Sequence, residues 1–156
     1  MQALAFSPGE KYLASLGGED DNSVIVWDLV KGAAICGSPA SKDSAGVALS
    51  LAYLNNNELK FVTGGNFNLR VWELNIQDRK IRPNDCQTGQ IKRIINCITV
   101  DPKDEFMYCG TTTGDLMQVA LATGLFKHSG PAKVCWPPTT HTPNHKLNSS
   151  NPVEPL

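Results

Sequence analysis

The chain has 156 residues, of which 41% are hydrophobic, 19% charged and 7% aromatic, with fourteen Lys and Arg against fifteen Asp and Glu. A formal net charge of -1 removes the long-range attraction that drives binding to nucleic acid or to an anionic membrane, so neither partner is expected. Thirteen Gly and ten Pro predict many short strands and turns in place of long helices.

Taken in chain order, the first segment offers apolar runs at Ala3 to Pro8, Tyr12 to Gly18 and Val24 to Asp28, with a weaker strand around Ala33 to Cys36. The second offers Leu49 to Asn55, Phe61 to Gly65 and Leu69 to Glu73, with a weaker strand around Arg79 to Arg82. The third offers Asn96 to Pro102, Phe106 to Gly110 and Leu116 to Val119, then Leu125 to His128. Residues Ala45 to Ala52 are rich in helix formers, but the equivalent runs in the other segments alternate as strands do, so a strand is expected there too. From Val134 onward, prolines at 137, 138, 143, 152 and 155 and several asparagines predict an unstructured tail.

These runs are periodic. Phe6, Tyr53 and Val100 are 47 apart, Gly17, Gly64 and Gly110 are 47 and 46 apart, and Trp27, Trp72 and Val119 are 45 and 47 apart. Units near 46 residues, each with four short strands and an aromatic ending the third, define the blade of a β-propeller. The expected fold is therefore all-β, with about three four-stranded blades near 1–46, 47–93 and 94–133 forming an open partial propeller, followed by the tail 134–156.

The Ser7-Pro8 turn, Ser15, Val26-Trp27-Asp28 and Val71-Trp72-Glu73 resemble the WD-repeat family. Longer strings, notably Cys86-Gln87-Thr88-Gly89-Gln90 and Gly110-Thr111-Thr112-Thr113-Gly114-Asp115, are similar to a ciliary and flagellar branch of that family over about residues 2 to 133. The resemblance implies a non-enzymatic protein that binds in the lumen of axonemal doublet microtubules. Tubulin and other axonemal inner proteins would be its partners, in the cytoplasm and the axoneme of motile cilia and flagella. A general WD-repeat adaptor that gathers soluble partners stands as the alternative.

In a WD blade, the Trp indole donates to a Ser or Thr on the second strand, and a turn Asp and a His complete a buried chain of hydrogen bonds. Ser15 with Trp27 and Thr63 with Trp72 match two of these roles, Asp28 and Glu73 stand at the acidic position after each Trp, and Asp21 and Asn68 are candidate turn members. No His precedes a first strand, so apolar packing is expected to carry most of the stability. The tryptophans read as core residues and not as ligand platforms.

No catalytic residue, cofactor site or metal site is expected. The five cysteines, Cys36, Cys86, Cys97, Cys109 and Cys135, contain no C-x-x-C pair and read as reduced thiols, with Cys97 and Cys109 as small hydrophobes on inner strands. Cys135, His141 and His145 have an H-x-x-x-H spacing but lack a second ligand pair, which favours a tail over a zinc centre. Met1 to Phe6 lacks the basic segment of a secretory leader, and no run reaches the roughly 18 apolar residues of a membrane span. Arg79, Lys80, Arg82, Lys92 and Arg93 place five of fourteen basic residues within fifteen positions, a candidate contact for an acidic partner against the bland alternative of a solvated outer strand.

Overall fold

The computed structural model describes residues 1–41 and 46–130. Those residues form twelve strands and no helix. The first blade comprises β1 (Ala3–Phe6), β2 (Tyr12–Leu16), β3 (Ser23–Asp28) and β4 (Ala33–Pro39). The second comprises β5 (Ala48–Tyr53), β6 (Lys60–Gly65), β7 (Leu69–Asn75) and β8 (Lys80–Asp85), and the third β9 (Ile95–Val100), β10 (Phe106–Thr111), β11 (Leu116–Ala120) and β12 (Phe126–Ser129). Each blade is a separate antiparallel sheet whose strands lie in sequence order. The fold is therefore the expected all-β set of four-stranded propeller blades, left open because no described strand of the third pairs with the first.

Despite its helix formers, the segment Ala48–Tyr53 yields to tertiary context and is a strand paired with β6. The fourth strands run later than their sequence cues, to Pro39 and Asp85, because each keeps pairing with the third strand beyond its apolar stretch. The tail and the Cys135, His141 and His145 trio lie outside the described residues.

Two apolar layers join the blades. Ala14, Leu16, Val24 and Val26 of the first blade pack on Phe61, Trp72, Leu74 and Ile81 of the second. The opposite face of the second supplies Val62, Leu69 and Val71, which meet Ile95, Met107, Cys109, Met117 and Val119 of the third. Period-two alternation makes this possible, since successive residues of β6 and β7 serve different interfaces. Gly64 and Gly65 set the spacing: a β-carbon on Gly64 would lie 2.9 Å from Ile98 Cδ1, and one on Gly65 only 2.0 Å from the Val47 carbonyl oxygen. The repeated glycine is thus a requirement for close approach of backbone and of the next blade.

Polar clamps tie the turns at one end. Ser7 Oγ donates to Glu58 Oε2 (2.6 Å) between the first two blades. Between the second and third, the Asn55 and Asn56 amides each donate to the Asp104 carboxylate at 2.7 Å.

Cross-strand rows show what each blade presents to its successor. The first presents Ala5, Ala14, Val26 and Cys36, and the second Ala52, Val62, Val71 and Asn84. The corresponding row of the third is Thr99, Tyr108, Gln118 and His128, with Gln118 Nε2 donating to Tyr108 Oη at 3.2 Å. At the other end of the arc, the row Phe6, Leu13, Trp27 and Ala34 meets no other blade among the described residues, and Phe6 is 60% exposed.

Candidate interaction site

The two tryptophan pairs differ in surroundings. Trp72 Nε1 donates to Thr63 Oγ1 at 2.8 Å, both residues being fully buried, and the indole stacks on Phe61 with centroids 6.0 Å apart at 10°. Trp27 Nε1 donates to Ser15 Oγ at 2.9 Å, and Ser15 passes on a 3.4 Å bond to the Ile25 carbonyl, but Trp27 lies on the open face and is half-buried. Neither relay reaches its turn residue. Asp21 accepts from Ser23 Oγ, while Asn68 donates to the Val47 and Asn66 carbonyls.

The acidic residues after each Trp also diverge. Asp28 Oδ1 accepts from the Val30 and Lys31 amides and shapes the β3–β4 turn. Glu73 is exposed, with Lys60 Nζ 3.9 Å away.

Sequence spacing suggested one basic edge, whereas the structure separates the five cations into two groups. Lys80 pairs with Asn75 and Asp85 with Arg70 in the β7–β8 register, so Arg79, Lys80 and Arg82 lie toward one end of the blade. Lys92 and Arg93 lie beyond the other end, roughly 17 Å of strand away. Arg79 donates to the Ala34 and Ile35 carbonyls, both at 3.4 Å, and Arg82 is 4.0 Å from Asp78. Arg93 Nε donates to Asp115 Oδ2 at 2.8 Å, and Lys92 remains exposed.

Asp115 is the turn carboxylate that the third blade does use. It accepts from the Thr113 hydroxyl, from Arg93, and from Thr111 Oγ1 at 3.0 Å. The Thr113 bond first, then the Arg93 guanidinium, hold its carboxyl well below the usual carboxylate range. A depressed folded-state pKa means stabilisation that is fully present above the unfolded value of about 3.9 and lost as pH falls through the folded value. Stability measured by urea titration is thus expected to decline as the pH drops below about 4, with a shallower decline in Asp115→Asn. Equal slopes in the two proteins would remove this account.

Sequence reasoning also missed Arg70, a charge inside an otherwise apolar joint. It is 5% exposed, donates through Nε to Asp85 Oδ1 at 2.5 Å and through Nη1 to the Ala40 carbonyl at 2.8 Å, and lies 5.8 Å from the Trp72 ring centroid. Its position between Leu69 and Val71 on a strand was the available signal.

Burial pushes the Cys86 and Cys109 thiols each up to about 12, so both behave as inert core groups. Cys97 corrects its expectation: it is exposed, because it pairs with Gly110 on the outward face of the third blade. Among the described residues no group of His, Cys, Asp and Glu has the makings of a metal site, and no helix is long and apolar enough to cross a membrane.

Residues 2–28 match the family described as "WD domain, G-beta repeat". The chain also superposes on the β-propeller domain of Cps50 (Swd1) from Myceliophteria thermophila with a TM-score of 0.67, at 17% identity, over 83% of this chain and 41% of that one. Fold and superposition define the class: these are blades of a β-propeller, the first of them similar to a WD repeat. More particularly, the chain resembles cilia- and flagella-associated protein 52. Over 133 residues, 85% of its length, it is 47% identical to that protein of Chlamydomonas reinhardtii and 50% identical to that of Homo sapiens. It spans about a fifth of those relatives, 21% and 22% respectively.

Proposed function

We propose that the chain is part of a non-enzymatic scaffold of motile cilia and flagella, bound within axonemal doublet microtubules and bracing their wall. The observation that carries this reading is its 47–50% identity over 133 residues to proteins named for cilia and flagella. The disposition of polar groups supports it: the Trp–hydroxyl pairs, Arg70 and the Asp115 cluster are all engaged within or between blades, which suits a rigid body acting by shape and surface. Tubulin and neighbouring axonemal inner proteins are the partners, met through surface complementarity.

Axonemal extraction tests the reading. A structural inner protein stays with the doublets through detergent and moderate salt, whereas release with the soluble fraction favours a general WD-repeat adaptor. The exposed group Arg79, Lys80 and Arg82 is the first candidate contact with acidic tubulin. Reversing all three to Glu is expected to weaken co-sedimentation of the complete protein with microtubules about tenfold, the sum of three rim charges. Unchanged co-sedimentation would take this surface out of the interface.

A further inference from the structure

A groove opens between the second and third blades at the end that carries Lys92 and Arg93. It encloses about 440 Å³, within the range of small binding sites. Leu69, Ile95 and Met117, 5%, 2% and 1% exposed, form an apolar floor fixed by the core, while the walls mix Phe67 and Ile91 with polar Asn68, Thr88, Lys92 and Arg93. At its edge the β6–β7 turn holds Phe67 outward, 65% exposed, with φ at 55°. That left-handed conformation is unfavourable for a bulky residue, and so is a phenylalanine left in water.

The walls are tied on both sides. The Phe67 amide donates to the Arg93 carbonyl (3.2 Å) and the Thr112 amide to that of Ile94 (3.0 Å). The start of the same loop is pinned by Gln87 N–H to Gly124 O (2.8 Å) and Phe126 N–H to Gln87 O (3.1 Å). The groove is therefore preformed, and a ligand meets little ordering cost.

Charge selects the ligand. Arg93 is matched by Asp115, and Arg70 by Asp85. The Lys92 ammonium has no carboxylate partner among the described residues, so the rim carries an excess positive charge beside an exposed aromatic. We propose that this groove captures a short extended segment of a partner protein in which an apolar side chain is flanked by carboxylates. The apolar group seats on Leu69, Ile95 and Met117 against Phe67, and a carboxylate meets Lys92. The proposal rests on the reading of the chain as a contact-making scaffold and deepens it by giving one partner its chemistry.

The test uses the full 156-residue chain and a fluorescein-labelled peptide, Gly-Asp-Glu-Phe-Glu-Asp-Gly, followed by anisotropy. Comparison peptides carry Ser in place of Phe, or Lys in place of every acid, and a labelled single-stranded oligonucleotide serves as a plain polyanion. Saturable binding of the acidic Phe peptide alone is expected, weakened about tenfold by Lys92→Glu and by Phe67→Ser. Both side chains are exposed, and circular dichroism verifies that the variants stay folded. Absence of saturable binding, equal binding of the Ser peptide or the oligonucleotide, or indifference to both substitutions overturns the proposal. Peptide capture by a protein that washes out of axonemes would retain the groove and reject the ciliary reading; retention without capture would do the reverse.

Discussion

Trp72→Ala is expected to destabilise the chain by about 3–5 kcal/mol, and Trp27→Ala by only about 1–2 kcal/mol. The two residues occupy the same place in successive repeats, and each donates its indole N–H to a hydroxyl on the second strand. They differ in what covers them. Trp72 is fully buried between blades, stacked on Phe61 and lying near Arg70, so its loss opens a cavity that the joint cannot refill. Trp27 faces the open side of the first blade, where truncation removes part of an already wet surface. Domains of this size hold only about 5–15 kcal/mol, so the first change approaches loss of the folded state and the second does not. Urea midpoints at unchanged slope read the difference, and equal losses would mean that Trp27 is as covered as Trp72.

Asp85→Ala is expected to cost about 2–3 kcal/mol and Arg70→Met about 1 kcal/mol, with the double variant close to Arg70→Met alone. Arg70 lies in the joint between the first two blades and its side chain is 6% exposed, whereas that of Asp85 is 53% exposed. Removing the carboxylate leaves the guanidinium in apolar surroundings with its strongest acceptor gone. Removing the cation leaves a carboxylate that water can solvate, and the main loss is the bond to the Ala40 carbonyl. A double-mutant cycle in denaturant measures the coupling. Additive losses would show that the pair contributes nothing as a pair.

The sequence made the blades legible because a β-strand repeats every two residues and the whole unit repeats near 46, so each apolar run was seen three times over. Trp72 is the core residue that its position predicted, whereas Trp27, expected in the core as well, is half-buried on the open face. Other features escaped too. The split of Arg79, Lys80 and Arg82 from Lys92 and Arg93 depends on hairpin register, which proximity along the chain does not encode. The role of Asp115 shifted between repeats: the first and third blades have Asp in the turn and the second has Asn, yet only Asp115 gathers two threonines and an arginine. Cys97 was expected inside, but the register irregularity between Gly110 and Thr111 accompanies its placement opposite Gly110 on the outer face. Local composition fixes strand identity, while facing and partner choice are settled by neighbours far along the chain.

The row Thr99, Tyr108, Gln118 and His128 bears on self-association. Joints within the arc seat a large apolar face on a row of small aliphatic residues, and a second copy approaching head to tail would offer this row instead. Dehydrating a phenol, an amide and an imidazole against Phe6, Leu13 and Trp27 supplies no replacement hydrogen bonds. Among the rows described, this polar one is therefore the face least suited to reuse the apolar contact that joins neighbouring blades.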